Sequence, residues 1–290
     1  MVKSNREFRE VCCSALVLAA IVLLGVNSMG QQDPVPATTP GIQDNSFLVE
    51  EAYNQNFGVV QHISSFTRSF ESKDWNYTFT QEWPVPGVRH QLSYTLVALH
   101  AGAFPDSGAG IGDIFLNYRY QLDGNGDTRV AFSPRLSVIF PTGDAIVGRG
   151  SGSFGLQTNL PLSVVVNKKL VTHWNMGATF IPNAEVTSIR RAGTAGYNFG
   201  QSFIWLARSR FNVMLETVFV RSQVVVASNR TGWTSSLFLS PGIRWAYNFK
   251  NGLQIVPGLA IPFGFMGVQH QKGAIFYLSF EHGFRPAHSR

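Results

Sequence analysis

The side chains able to do chemistry in this sequence are arginines, carboxylates and amides that recur at alternate positions within apolar segments. In GDIFLNYRYQL, Asp113, Asn117 and Arg119 hold odd positions, whereas every even position from 114 to 122 is apolar or aromatic. A period of two is typical of a β-strand and puts the two sets of side chains on opposite faces. On a face that is enclosed by the protein, charged side chains either form ion pairs with one another or attract charged solutes.

The same alternation recurs in later segments, where Arg135, Arg208, Glu216 and Arg244 share the parity of the small and polar residues. An arginine that faces lipid at the bilayer midplane costs about 2 to 4 kcal/mol, so a register that exposed several of them would cancel a protein's whole stability. The polar rows must therefore face inward. The residues predicted to line the lumen and the solute path are Asp113, Phe115, Asn117, Arg119, Arg135, Asn159, His173, Asn175, Glu216, Arg244 and Glu281.

Twelve segments carry a strand pattern, and the clearest pair is the hairpin of residues 112–141. Its turn, DGNGD, contains Gly124, Asn125 and Gly126, which tolerate a positive φ. Each segment is near the length of a tilted strand that crosses a membrane. The predicted strands are residues 59–69, 75–83, 89–99, 112–122, 129–140, 154–166, 170–181, 197–208, 211–220, 233–247, 253–263 and 274–284.

The connections between these strands favour a barrel over a soluble sandwich. Short turns such as PVPGV and NFKNG alternate with longer connections, among them residues 183–195 and 221–232, along most of the chain. Outer-membrane barrels have this alternation and sandwiches do not. The sequence therefore predicts an all-β fold: a transmembrane, antiparallel up-and-down β-barrel of about twelve strands, of the bacterial outer-membrane type.

Composition agrees with this class and argues against several others. Charged residues make up 14% of the chain and aromatic residues 13%, while 44% of residues are hydrophobic. No stretch approaches the roughly twenty apolar residues that a spanning helix needs. The formal charge of +6 is scattered rather than clustered, so we expect no nucleic-acid partner.

The N-terminal region divides into a targeting segment and a leader. Lys3, Arg6 and Arg9 precede the apolar residues 15–26 and then small residues up to Gly30, which predicts a secretory signal peptide over residues 1–30. Both cysteines lie inside it, so no cysteine is expected in the mature chain. We expect residues 31–56 to form an extended leader that lies partly in the lumen or at its rim, residues 57–284 the barrel, and residues 285–290 a short tail.

Five segments resemble one known family. GAGIGDIFLNYRYQL, SVIFPTGD, VTHWNMGATF and LSPGIRWAYN together are similar to the outer-membrane family "MetA-pathway of phenol degradation", whose members are described as transporters. EEAYNQNFG resembles the opening segment of that family, and the similarity spans residues 49–284. The resemblance implies a barrel associated with the uptake of aromatic or other hydrophobic small molecules.

Catalysis has one weak candidate. Ser163 and His173 are predicted to face each other across a turn on the lumen side, as in the start of a hydrolase triad, but no third orienting carboxylate or oxyanion motif can be placed. No two histidines have metal-ligand spacing. We therefore expect neither an enzyme nor a bound metal or cofactor.

The favoured function is a channel or transporter in the outer membrane of a Gram-negative bacterium, for small solutes that include aromatic, hydrophobic or weakly acidic ones. Phe115, Met214 and Phe238 would give the lumen apolar patches, and the inward arginines would attract carboxylates. The alternative is a non-conducting structural or adhesive barrel that acts through residues 183–195 and 221–232. Expected partners are outer-membrane lipid, the solute and the barrel-assembly machinery, and we expect a monomer.

Overall fold

The computed structural model describes residues 42–100, 108–187, 190–267 and 271–283. The predicted signal peptide, the first part of the leader up to residue 41, the end of the last predicted strand at Phe284 and the tail lie outside the described residues.

Twelve antiparallel strands form in these ranges, five of them in two pieces. They are β1 (Val59–Ser69), β2 (Trp75–Pro84), β3 (His90–His100), β4 (Ala109–Ile111 and Ile114–Tyr120), β5 (Val130–Phe132 and Arg135–Phe140), β6 (Gly155–Asn159 and Leu162–Asn167), β7 (Leu170–Thr187), β8 (Arg190–Arg208), β9 (Phe211–Ala227), β10 (Arg230–Trp245 and Tyr247–Asn248), β11 (Gln254–Ala260 and Phe263–Met266) and β12 (Gly273–Gly283).

The sheet closes on itself because each strand pairs with its sequence neighbours and β1 also pairs with β12. Val59 lies opposite Gly283 and Ser69 opposite Gly273, so the seam runs the full length of β1. Closure removes the two free sheet edges that an open sheet would leave unpaired. The predicted all-β, twelve-stranded antiparallel barrel is confirmed.

The two faces of the wall differ as the alternation requires. On β4, Leu116 is 47% exposed while Arg119 is 3% exposed, and on β5 Leu136 is 47% exposed while Ser137 is fully buried. The apolar side chains therefore cover the outside of the barrel and the polar ones fill its interior, the reverse of a soluble protein. Arg208 is an exception to the inward set, since it is exposed at the end of β8, beside a turn.

Aromatic side chains cluster on the outer face at two levels. Tyr197 lies 6.4 Å from Phe219 and 6.2 Å from Trp233 between ring centroids, and the guanidinium of Arg221 lies 5.2 Å above the Trp233 ring. Trp245 lies twelve residues further along β10, which is about 40 Å of strand and about 28 Å of depth at a tilt of about 45°. Such girdles mark the two membrane interfaces in outer-membrane barrels.

The prediction of loops at residues 183–195 and 221–232 is wrong. The described parts of both regions continue as strand, so that β7 pairs with β8 up to Thr187 and Arg190, and β9 pairs with β10 up to Ala227 and Arg230. Where a hairpin of an outer-membrane barrel extends past the membrane, both of its faces meet water. Such an extension needs no alternation of apolar and polar residues, so its sequence does not show that it is a strand. We call this end of the barrel the hairpin end, and the other, with turns at residues 85–89, 168–169 and 209–210, the tight-turn end.

Among the described residues, no helix is long or apolar enough to cross a membrane.

Candidate functional site

Residues 42–57, which we call the plug, run through the interior of the barrel before β1 begins. Ile42 packs against Ala246 near the tight-turn end, and Asn54 donates to the backbone carbonyl of Val88, in a turn at that same end. Between these points the chain rises to the middle of the barrel, where Val49 packs within reach of Gly200. The plug therefore enters and leaves at the tight-turn end and fills the nearer half of the lumen.

Arg244 anchors the start of the plug through the peptide backbone. Its side chain is 1% exposed, and its two terminal nitrogens donate to the carbonyl oxygens of Asp44 and Asn45 at 2.6 Å each and of Ile42 at 3.1 Å. A guanidinium presents several donors in a fixed fork, so one arginine can fix three carbonyls at once.

The Asp44 carboxylate is held beside this anchor. It accepts hydrogen bonds from the Tyr277 hydroxyl at 2.6 Å, from Gln61 Nε2 at 2.9 Å and from the Ser279 hydroxyl. Burial raises the pKa of Asp44, and the charge of Arg244 offsets this in part. Carboxylate and guanidinium therefore stabilise each other across the lumen.

Arg119 repeats the same arrangement on the returning arm of the plug. It donates to the carbonyl oxygens of Glu51 at 3.1 Å and Tyr53 at 2.6 Å, and to Asn54 Oδ1 at 3.0 Å. Within the described ranges it forms one ion pair, with Glu82, at 3.7 Å. The main partner of this arginine is thus the plug backbone.

Three further wall residues bind the plug near its apex. Glu216 Oε1 accepts the backbone N–H groups of Leu48 at 2.8 Å and Val49 at 3.1 Å, and its other oxygen has no partner among the described residues. Asn175 accepts the N–H of Glu50 and donates to its carbonyl, both at 2.8 Å, as a neighbouring strand would. Arg135 forms an ion pair with the Glu50 carboxylate at 2.7 Å.

Phe47 is the apolar anchor of the plug. Its ring packs 5.3 Å from Tyr277 and belongs to a buried cluster that includes Met214. A Cβ atom at Gly242 or Gly258 would lie 2.5 or 2.4 Å from the ring, so only glycine leaves room for it at these two wall positions.

The Ser163–His173 pair also supports the plug. Ser163 Oγ lies 2.7 Å from His173 Nδ1 and accepts the backbone N–H of Ala52 at 2.8 Å, and the Tyr53 ring stands edge-on to the imidazole at 5.9 Å. Both residues are buried and neither contacts a carboxylate within the part of the chain that the structure describes. The arrangement fits a plug contact better than a nucleophile.

The remaining predicted site residues form no hydrogen bond or ion pair with the plug in the part of the chain that the structure describes. Asp113 accepts the backbone N–H groups of Gly143 at 3.0 Å and Ser151 at 2.7 Å and so fixes the β5–β6 connection. Asn117 binds Arg135, and Asn159 binds Asn175. Phe115 and Glu281 are half-buried. None of Arg119, Arg135 and Arg244 forms an ion pair with Asp113, Glu216 or Glu281 in the described ranges.

Sequence reasoning missed several wall residues that bind the plug. Gln91 Oε1 accepts the N–H of Gln55 at 2.7 Å, and Gln121 accepts the N–H of Asn54 at 2.9 Å and donates to the carbonyl of Ala52 at 2.8 Å. The alternation of the sequence shows that both glutamines face inward. It does not show that they bind the plug, because uncharged amides are equally common on strand faces that meet water.

Towards the hairpin end, beyond the apex of the plug, part of the lumen is lined by uncharged side chains. We call this region the vestibule. A cavity of about 230 Å³ lies there, lined by Thr179, Ile181, Thr194, Ala195, Gly196, Tyr197, Asn198, Val220, Ser222 and Gln223. No side chain in this lining carries a charge. In the described ranges, no group of three or more His, Cys, Asp or Glu side chains is placed to bind a metal ion.

A closed twelve-stranded wall that is apolar outside and polar inside defines an outer-membrane-type β-barrel. The chain resembles an outer membrane channel from Pseudomonas putida F1 at a TM-score of 0.53 and 11% identity, over 87% of this chain and 100% of that one. It also resembles the NanC porin at a TM-score of 0.50 and 9% identity, over 76% of this chain and 98% of that one. These likenesses establish the fold alone.

No family model matches the chain, and no curated protein matches it. The resemblance to the MetA-pathway family therefore rests on the five sequence segments alone. The CymD monoaromatic hydrocarbon channel is a more distant structural relative, with a TM-score of 0.42 and 11% identity over 81% of this chain and 90% of that one.

Proposed function

We propose that the chain is an outer-membrane channel for small solutes and that the plug closes its axial path. The observation that carries the proposal is the chemistry of the plug contacts. Arg244, Arg119 and Glu216 bind the plug through backbone groups in a polar lumen. A lumen that only needed filling would be filled by wall side chains, as in small barrels, and would need no separate segment of chain.

Plug contacts of this kind are exchangeable. A hydrogen bond within a protein contributes a net of about 0.5 to 1.5 kcal/mol, because water replaces the partner when the bond opens. The plug begins and ends at the same mouth, so it can leave the lumen without threading through the wall. A displaced plug would expose a pore lined by the polar rows.

The exposed wall would suit small solutes that include aromatic or weakly acidic ones. Arg119, Arg135 and Arg244 would attract carboxylates once their plug partners left, and Met214 and Phe238 would supply apolar contact. The similar solved structures are an outer membrane channel and a porin by their own descriptions, which supports passage of solutes at this coarse level.

Planar-bilayer recording of refolded protein tests the proposal. We expect the mature chain to show rare openings of low conductance and a variant that lacks residues 42–56 to conduct persistently. Circular dichroism and the heat-modifiable migration typical of folded barrels on gels serve as folding controls. A folded deletion variant with neither conductance nor solute flux would overturn the channel proposal.

The second candidate is a non-conducting adhesive or structural barrel. It is favoured by the plug itself and by the β7–β8 and β9–β10 hairpins, which project beyond the aromatic girdle at Tyr197 and Trp233. Shortening both hairpins should then abolish surface adhesion. If adhesion survives the shortening while the plug deletion conducts, this candidate fails.

The proposed location is the outer membrane of a Gram-negative bacterium, reached through the predicted signal peptide and the barrel-assembly machinery. The apolar outer face supports outer-membrane lipid as the surrounding partner. A monomer is proposed because the closed barrel needs no second copy to pair its strands. Fractionation of cells that express the full chain, followed by crosslinking, tests both points.

A further inference from the structure

The barrel wall has a notch between β8 and β9. Their ladder ends at the pair Gly196 and Ser222, although β8 continues to Arg190 and β9 to Ala227. Just above the last pair, the backbone N–H of Ala195 donates instead to the side-chain oxygen of Gln223 at 2.9 Å. Near the tip, in the part of the chain that the structure describes, the turn after β9 contacts β8 again, where the N–H of Asn229 donates to the carbonyl of Arg191 at 2.8 Å.

The notch coincides with irregular pairing in the β7–β8 hairpin. Its β7 arm carries register shifts between Ile181 and Ala184 and between Glu185 and Thr187. The backbone N–H of Glu185 donates to the carbonyl of Ser151, in the β5–β6 connection, at 2.9 Å. The β7–β8 hairpin is thus irregular and hydrogen-bonded to the β5–β6 connection. In the β9–β10 hairpin, by contrast, the two strands pair without a register shift up to Val225.

The vestibule cavity lies at the base of this notch. Its lining includes side chains of inward parity, such as Thr194, Asn198 and Val220, and also Ala195 and Gln223, which have outward parity and edge the notch. The volume of about 230 Å³ is enough for one substituted six-membered ring, since an engineered cavity of about 150 Å³ takes up benzene.

Thr179, Ser222 and Gln223 in the cavity lining have hydrogen-bond partners in the wall, but two other polar side chains have none among the described residues. These two are the Asn198 carboxamide, which lies over Gly177, and the Thr194 hydroxyl. Ile181 and Val220 supply the apolar part of the lining. A site with a few unpaired hydrogen-bonding groups on an apolar wall favours a ligand that satisfies those groups.

We propose that this cavity is a recognition site for an uncharged solute about the size of one substituted ring that carries a hydroxyl, amide or similar hydrogen-bonding group. The inference rests on the proposed function and narrows its solute class. An ionised solute is disfavoured here, because no lining side chain offers an opposite charge and the removal of an ion from water without such a partner is costly. The lumen arginines are engaged with the plug, on the other side of Val49 and Glu50.

Ligand-observed ¹⁹F NMR of the whole mature chain in detergent micelles tests the assignment, with empty micelles as the reference. The probes are 3-fluorobenzyl alcohol, which is neutral, and 3-fluorobenzoate, which has the same ring and a charge. We expect saturable broadening of the alcohol signal, competed by unlabelled benzyl alcohol, and at least about tenfold weaker binding of the benzoate.

Two variants locate the binding. Val220→Trp should fill the cavity and abolish saturable binding, whereas Thr217→Trp, on the outward parity of the same strand, should leave it unchanged. Asn198→Leu keeps the volume, removes the hydrogen-bonding group and should weaken binding about tenfold. Equal binding of alcohol and benzoate, or binding that Val220→Trp leaves intact in a folded barrel, would refute the site.

Failure of the site and failure of the channel are separable. If the alcohol does not bind but the plug-deletion variant conducts, the cavity assignment is wrong and the channel stands. If the alcohol binds as expected but no folded variant passes solute, the site stands and the protein is not a channel.

Discussion

The two halves of the lumen treat polar side chains in opposite ways. In the plugged half, Arg244, Arg119 and Glu216 are buried and bind mainly to backbone groups of residues 42–57. In the vestibule, the side chains of Asn198 and Thr194 line a cavity and have no hydrogen-bond partner among the described residues. The parity of the residues is the same in both halves.

This difference separates charges that organise the protein from groups available to a ligand. A buried arginine whose donors bind carbonyls is a structural element until those carbonyls leave. An uncharged side chain at a cavity surface costs little while empty and gains a partner when occupied. Substitutions in the plugged half should therefore change the free energy of unfolding and the frequency of channel opening. Substitutions in the vestibule should change only the affinity for a ligand.

The largest effect is expected for Arg244→Met. The change leaves three plug carbonyls and the Asp44 carboxylate without their cationic partner, and the loss of one partner from a buried charged network costs about 3 to 5 kcal/mol. We expect the free energy of unfolding in urea to fall by that amount and the channel to open persistently. Arg191→Met, on an arginine that is 47% exposed and paired with Glu185 at 2.9 Å, is the control and should change stability by less than about 1 kcal/mol. If Arg244→Met and Arg191→Met lowered the free energy of unfolding equally, the proposed difference between the two halves of the lumen would be wrong.

A smaller effect is expected for Gly258→Ala, which tests closure without altering any charge. The new Cβ atom would lie 2.4 Å from the Phe47 ring, and overpacking of this kind costs about 1 to 3 kcal/mol. The ring should leave its pocket and the frequency of channel opening should rise in bilayer recordings. Gly87→Ala, where no atom lies within 4 Å of the new Cβ, is the matched control. An unchanged opening frequency for Gly258→Ala would mean that Phe47 does not hold the plug.

Ser163→Ala should weaken the plug by about 1 kcal/mol, because the Ala52 N–H and His173 each lose a neutral hydrogen-bond partner. The loss is measurable as a shift of the urea midpoint and a modest rise in the frequency of channel opening.

The Ser163→Ala variant also tests the hydrolase alternative, together with a His173→Ala variant, on short-chain nitrophenyl esters. Ester hydrolysis by the native protein that both changes abolish would show that the pair is catalytic.

The smallest effect on stability is expected in the vestibule. Thr194→Val keeps the shape of the side chain and removes a hydroxyl that has no partner among the described residues. The free energy of unfolding should therefore change by less than about 0.5 kcal/mol. The frequency of channel opening should not change measurably. A large loss of stability would show that the vestibule, like the plugged half, is held by its polar groups.

Much of the wall was predictable, and the reason is the cost of a wrong register. Leu116 and Leu136 had to face outward once Arg119 and Arg135 were on the opposite parity. The hairpin ends were not predictable, because Asn183 and Glu185 extend beyond the apolar band where strands need no alternation. The plug was foreseen only as one of two alternatives, since Asp44, Val49 and Glu51 have no periodic pattern.

Local alternation alone determined the class of fold and the inward position of Arg119, Glu216 and Arg244, because period-two patterning and the cost of charge in lipid act strand by strand. Tertiary structure alone decided what those residues bind. The partners of Arg244 are carbonyls about two hundred positions away in sequence, and backbone carbonyls look alike in every residue of a sequence. For the same reason only the folded chain shows that β8 and β9 part above Gly196 and leave Asn198 beside an open cavity.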